Sequence, residues 1–255
     1  MVSMDWWSLF TAAISGSFAV KLLDIAYGEL KDWKTKRNDH SRDVDRSLEP
    51  LLKCSDELVG KLRSLAEQDF IPIIGANSKS LSDPSFASVV YLFVQFWSEV
   101  EFVRFKGLST RIAKSERGKQ TQAFLKCLES RRARLIDRIS QRAIGEAAQI
   151  DGRTMNYVEF IKSVDADPYM FRWLEPLLGS LGSVNQAHQR QRVLQYFVIL
   201  HALIDTLDSD HTVTRDRPGI PNKLDRKSRR DLSYRVFGVY LTFVVNRPKY
   251  LGPLN

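Results

Sequence analysis

The stretch HALIDTLDSDHT, residues 201 to 212, is where side chains able to hold a metal or move a proton crowd together. On a helix His201, Asp205 and Asp208 fall at i, i+4 and i+7, hence on one face, and Asp210 and His211 follow at the helix end. An imidazole with two carboxylates suits a divalent ion that keeps one position open for water, which is the chemistry of a metal-dependent hydrolase. His201, Asp205 and Asp208 are the candidate ligands under that reading, and no other cofactor is predicted. Against it, His40 and His188 are isolated and no HExxH occurs. Acids at a helix C-terminus also oppose the macrodipole, so three Asp there need a reason. A structural reason competes: Asp205 pairs with His201 or with a basic residue of TRDRP (214–218) or RKSRRD (226–231), fixing the last helix onto this one.

Asp208-Ser209-Asp210-His211-Thr212 also resembles the DxDxT pattern of aspartate-nucleophile phosphatases. No buried strand precedes it and too little chain follows for the remaining motifs, so the resemblance carries no assignment. There is no glycine-rich phosphate loop, no GxSxG, no Cys/His nucleophile pairing and no lipidation signal. Cys54 and Cys127 stand far apart without metal-ligand spacing, which suits a reducing cytosol and small core residues rather than a disulfide framework.

Basic side chains are the second candidate. Lys plus Arg number 38 against 30 Asp plus Glu, a net charge of +8 that favours anionic partners. The excess concentrates in two regions. Twelve Lys or Arg between Arg104 and Arg142 face Glu116, Glu129 and Asp137, and ten between Arg215 and Lys249 face Asp216, Asp225 and Asp231. Arg131, Arg132, Arg134, Arg229 and Arg230 are the candidate contacts to an anion or lipid headgroup, each contributing on the order of 1 kcal/mol at an anionic leaflet. The same charges would grip nucleic-acid phosphates, although SRRARLIDRISQR matches no specific reader. Ordinary solvated helix faces, with pairs such as Asp137 and Arg134, explain them equally well.

The elements that must position these groups read as helices. Leu48, Leu51, Leu52, Leu58, Val59, Leu62, Leu65 and Ala66 recur at spacings of three and four, behind Ser47 as cap. IPIIGANSKSLSDPS (71–85) breaks the pattern, with Ser82 or Asp83 as the next cap and Pro84 in the first helical turn. Residues 86–105 predict a helix through the soluble core, interrupted too early by Gln95, Glu99 and Glu101 for a span. After a loop from Lys106 to Lys119, Phe124, Leu125, Leu128, Leu135, Ile136, Ile139 and Ala143 predict one helix ending near Asp151 and Gly152. Asp167 and Pro168 open a short helix, GSLGS (179–183) is a break, and Gln186 to Leu207 is the longest late helix. RDRPGIPNK (215–223) is a loop, and YRVFGVYLTFVV (234–245) is expected as a buried terminal helix within the segment 226–245.

Trp6 to Val20 runs fifteen residues without a charge, about 22 Å as a helix against a ~30 Å hydrocarbon core. Leu22, Leu23, Ile25, Ala26 and Tyr27 supply the missing length if Lys21 snorkels and Asp24 lies at the interface. Trp6 and Trp7 at one end and Tyr27 and Trp33 at the other stand as interfacial anchors, and Lys31, Lys34, Lys36 and Arg37 follow only on the C-terminal side. Ala12 with Gly16, Ala13 with Ser17 and Ser15 with Ala19 suit close helix association in lipid, hence a homo-oligomer. A signal peptide would need a basic leader where MVSMD is acidic, an interfacial helix would need a stronger polar face, and a soluble core helix remains the main competitor.

The expected architecture is all-α: a single transmembrane anchor helix with its basic juxtamembrane segment (1–37), then an irregular multi-helix domain (38–255). Charge asymmetry expects the cell (inner) membrane, with the N terminus outside and the C-terminal domain cytoplasmic. The expected role is a membrane-anchored scaffold or effector with lipid as partner, the metal-dependent hydrolase and a nucleic-acid-binding domain being the alternatives.

Overall fold

Apolar residues three and four apart build the first helix, α1, across residues 48–67, where Leu48, Leu51, Leu58, Val59, Leu62 and Leu65 are all buried. The computed structural model describes residues 48–107, 115–166 and 168–253, all belonging to one unit, Arg46–Asn255. Every expectation for residues 1–47, including the anchor and the Ser47 cap, lies outside the described residues. α1 closes where Asp69, at φ 50°, takes the left-handed position usual for glycine. Phe70 N then donates to Leu65 O at 2.7 Å and Asp69 N to Ala66 O at 3.2 Å, satisfying the last carbonyls.

Two 3-10 turns, Ile71–Ile73 and Ser78–Ser82, fill the predicted break. Asp83 caps α2, Pro84–Phe102, by accepting from Ser85 N at 2.9 Å, and Pro84 holds the first position. With the turn that continues it, Pro84–Phe105 is long and apolar enough to cross a membrane, yet 67% of its most apolar window is buried inside the protein. Phe86, Val90, Phe93 and Trp97 are all shielded, and Trp97 Nε1 donates to the Tyr196 hydroxyl at 2.9 Å. Each such side chain, fully buried, contributes roughly 1.5–3 kcal/mol, which is why this helix is the axis of the core.

The single helix predicted from Phe124 to Ala143 is two helices. α3, Glu116–Glu129, stops at Ser130, and α4, Arg138–Ala147, begins after Asp137, whose carboxylate accepts from Ile139 N and Ser140 N at 2.9 and 3.0 Å. Ile139 is 70% exposed and belongs to no apolar face: a strong cap outweighs the periodicity. α3 also starts inside the predicted loop, because Ser115 Oγ accepts from Gly118 N at 3.0 Å. α4 lies so near α2 that a Cβ at Gly145 would sit 2.5 Å from Trp97 O. Arg104 and Arg142 tie the three helices together through Glu101 and Glu129, at 2.7 to 3.0 Å.

Asp151 and Gly152, at φ 50° and 76°, make the tight turn of a small hairpin in which β1, Gln149–Ile150, pairs antiparallel with β2, Arg153–Thr154. α5, Tyr157–Ala166, and α6, Pro168–Gly182, follow. The predicted break at GSLGS falls after Gly182 instead, since α6 runs through Gly179. Gly182 serves packing: a Cβ there would overlap Ala76 O, and Gly75 N donates to Gly182 O at 3.0 Å.

α7, Ala187–Leu207, is the second core axis, with Val193, Leu194, Phe197, Leu200, Leu203 and Ile204 buried. Phe93 and Phe96 of α2 pack their rings on Tyr196 at 5.9 and 6.3 Å. Beyond the 215–223 loop, α8, Arg226–Asp231, runs into a wide π-type turn, Leu232–Phe237, and stops. The terminal helix expected over 234–245 reaches only Phe237. Past Gly238 the chain turns with Val239 and Val245 exposed, and the last helix is the short α9, Arg247–Leu251. A Cβ at Gly238 would lie 2.7 Å from Tyr234 O, and the β-branched run after it has little propensity to hold a helix. The described residues are therefore mostly helical, and their strands are confined to the one hairpin.

Candidate functional site

α7 carries chemistry toward both its ends. In its C-terminal half, one turn of helix stacks His201 over Asp205, with His201 Nε2 3.7 Å from Asp205 Oδ1. The imidazole is 2% exposed and wedged against Phe197 and Tyr250. Burial pushes its pKa down to about 4 against the pull of Asp205, so it is neutral at pH 7.

Asp205 is gripped from α9. Tyr250 donates its hydroxyl to Asp205 Oδ2 at 2.6 Å, and Lys249 Nζ lies 2.7 Å from the same oxygen and 3.0 Å from Asp216 Oδ1. Burial works against the Lys249 ammonium, but these carboxylate contacts outweigh it and raise its pKa. Burial and then the Asp205 bond push the Tyr250 phenol up. Lys249 holds the Asp216 carboxyl below its usual range. His211 completes the group, its Nε2 3.6 Å from Asp205 Oδ1 and 3.5 Å from Asp216 Oδ1.

Asp208 does not join them. It ends α7, and its carboxylate accepts five hydrogen bonds at 2.8 to 3.0 Å from Thr212, Val213 and Thr214. Burial pushes this carboxyl up, yet those bonds prevail and hold it well below the usual range. Asp208 thus builds the loop that returns His211 and Asp216 to Asp205. Of the three ligands read from the sequence, the structure brings His201 and Asp205 together and turns Asp208 away. The i+7 spacing is right for one face, but Asp208 is already leaving the helix, with φ −136°. Sequence reasoning missed Asp216 as a partner, along with Lys249 and Tyr250, which lie more than thirty residues downstream of Asp205 and share no local pattern with it.

The N-terminal half of α7 faces a different environment. A groove of about 310 Å³ opens between Arg131 and Arg132, the polar side of α7, and α8 with its continuation. Arg131, Arg132, Arg192, Lys227 and Arg235 line it, against Asp225 and Asp231. Asp225 is spent capping α8, accepting from Ser228 N at 2.6 Å, and Asp231 pairs with Arg235 at 3.1 Å. Arg192 donates to the Arg134 carbonyl, and burial together with the Arg134 charge lowers its pKa. Arg131 and Arg132 therefore sit in the groove, whereas Arg134 supports it through its main chain. Arg229 turns back to donate to Leu224 O at 3.2 Å, and neither it nor Arg230 lines the groove. The residues that sequence reasoning missed, His188 and Arg192, did leave a signal: with Gln191 and Gln195 they make a polar stripe at i, i+3, i+4 and i+7 along an apolar helix.

Both cysteines are buried and free, and burial pushes the Cys127 thiol up to about 12, which leaves neither as a ready nucleophile. No protein-family model matches the chain, and no curated protein and no solved structure matches it.

Proposed function

We propose that this chain is a membrane-anchored α-helical scaffold whose basic groove docks on acidic lipid headgroups. The observation that carries the reading is the groove itself: Arg131, Arg132, Arg192 and Lys227, from three separate parts of the chain, converge on one opening, while Asp225 caps α8 and Asp231 pairs with Arg235. The segment Trp6–Arg37, with its aromatic ends and one-sided basic flank, supports a single-pass anchor with the domain on the cytoplasmic side, where anionic lipid is concentrated. The small-residue pairs of that segment support self-association in lipid.

Two measurements test the reading. Carbonate extraction of membranes should leave the full-length protein in the pellet, and release into the supernatant removes the anchor. Vesicles with acidic phosphatidylserine should bind the protein in a salt-sensitive way while neutral phosphatidylcholine vesicles do not; equal binding to both removes the docking. Preferential salt-sensitive binding to single- or double-stranded DNA or RNA would favour the nucleic-acid alternative instead.

A metal-dependent hydrolase is the second reading, favoured by the meeting of Asp205, His211 and Asp216 beside an open cavity. Metal-stimulated cleavage of nitrophenyl phosphate, lost in Asp216→Asn, supports it; cleavage that survives the substitution or does not respond to metal counts against it.

A further inference from the structure

The Asp208 loop determines which nitrogen of His211 is available. Thr214 donates its hydroxyl proton to Asp208 Oδ2 at 2.8 Å. A hydroxyl has one proton, so the Thr214 oxygen, 3.2 Å from His211 Nδ1, must accept the Nδ1 hydrogen. A neutral His211 then carries its lone pair on Nε2, the nitrogen that faces Asp205 Oδ1 and Asp216 Oδ1 at 3.6 and 3.5 Å.

In that tautomer three electron-rich atoms point at one another. The two nitrogen–oxygen separations are longer than the roughly 2.7–2.9 Å of a charge-assisted N–H···O bond. They are close to the ~3.4 Å edge of a tetrahedron whose ligands lie about 2.1 Å from a central ion. One further observation points to a cation. Asp205 Oδ1 is buried without any hydrogen-bond donor, and His201 only approaches it, at 3.7 Å. Lys249 supplies one positive charge, from the outer side, against the two carboxylates.

We propose that Asp205 Oδ1, His211 Nε2 and Asp216 Oδ1 form a divalent-cation site of the zinc class, oriented from behind by Thr214 and Asp208. Mixed imidazole and carboxylate donors at this spacing favour such a borderline ion over magnesium or calcium, which take more oxygen ligands. A cavity of about 340 Å³ lined by Asp205 and His211 and bordered by Ser209, Asn246 and Lys249 lies beside these ligands. Lys249 Nζ already lies 3.0 Å from Asp216 Oδ1, one of the oxygens assigned to the ion. Lys249 therefore acts as a competitor that weakens the site and makes it reversible. The inference stands whether or not the protein hydrolyses anything, and it is independent of lipid docking.

The experiment is a Zn²⁺ titration of the full-length protein after EDTA treatment and desalting, read by calorimetry and by metal analysis after dialysis. One equivalent should bind per chain. His211→Ala and Asp216→Asn should each bind at least roughly tenfold more weakly, and Thr214→Val, which frees the tautomer, about tenfold more weakly. Lys249→Met should bind severalfold more tightly, an effect no merely structural role for the lysine produces. His211 and Asp216 lie on a surface loop, and an unchanged thermal transition in EDTA verifies that their variants fold. Failure of the wild type to bind, unchanged affinity in both loop variants, or an imidazolium NMR signature at His211 that zinc does not alter would each overturn the site.

Discussion

The two ends of α7 treat charge in opposite ways. At the N-terminal end Arg192 shares a solvent-open groove with Arg131, Arg132 and Lys227, all exposed. At the C-terminal end Asp205 is drawn into a largely buried knot with Tyr250, Lys249 and two histidines. Exposed ion pairs are screened by water and contribute little to stability, so the groove's charges remain available to a partner. Buried ones are costly to leave unpaired, so the cluster's charges hold α9 and the 208–216 loop in place. One helix therefore borders an open basic groove and a structural knot within five turns, and removing charge should have opposite consequences at the two places.

The largest expected effect is on binding. Replacing Arg131, Arg132 and Lys227 together with Gln should lower affinity for phosphatidylserine vesicles by roughly a hundredfold, at about 1 kcal/mol per charge. The urea midpoint should stay where it is. A fall in stability instead would mean that the groove belongs to the fold and would break the comparison.

The cluster should show the reverse. His201 has a folded-state pKa depressed to about 4 from 6.5 by burial, so the unfolded chain binds the extra proton first as the pH falls. Its contribution is present above pH 6.5 and is lost progressively down to about pH 4, amounting to roughly 3 kcal/mol. Urea unfolding in EDTA across that range should reveal the loss in the wild type, and His201→Phe should be flatter. A variant with the wild-type slope would mean that His201 is not held neutral by burial.

Asp208→Ala removes the acceptor of five hydrogen bonds and should cost about 2–3 kcal/mol by urea denaturation, because several loop donors lose their partner at once. At the other extreme, Arg235→Ala breaks only a half-exposed pair with Asp231 and should change stability by no more than about 0.5 kcal/mol. Equal costs for these two would erase the distinction between the ends of the helix.

Periodicity made the helices legible where one face meets one core. α1 and α7 follow their apolar spacing, and Asp83 with Pro84 marks the start of α2 correctly. It failed where a local device won. Asp137 and Ser130 split a continuous apolar pattern, α6 ran on through Gly179 to end at the closely packed Gly182, and Gly238 ended a run of residues that looked buried. In the candidate sites, HALIDTLD announced His201 and Asp205 because both lie on one helix, but the third position followed the chain out of the helix. Arg131 and Arg132 were visible as charge without any indication that they would share a groove with Lys227, almost a hundred residues away.

What the sequence by itself determined is the class of structure: buried apolar stripes force helices, and the caps and prolines set most of their starts, because these are interactions between residues three or four apart. Only the tertiary structure decided which charges are spent and which are offered. That outcome depends on how far each side chain is removed from water and on what arrives from distant segments, such as Lys249 and Tyr250 beside Asp205, and neither quantity is contained in local spacing.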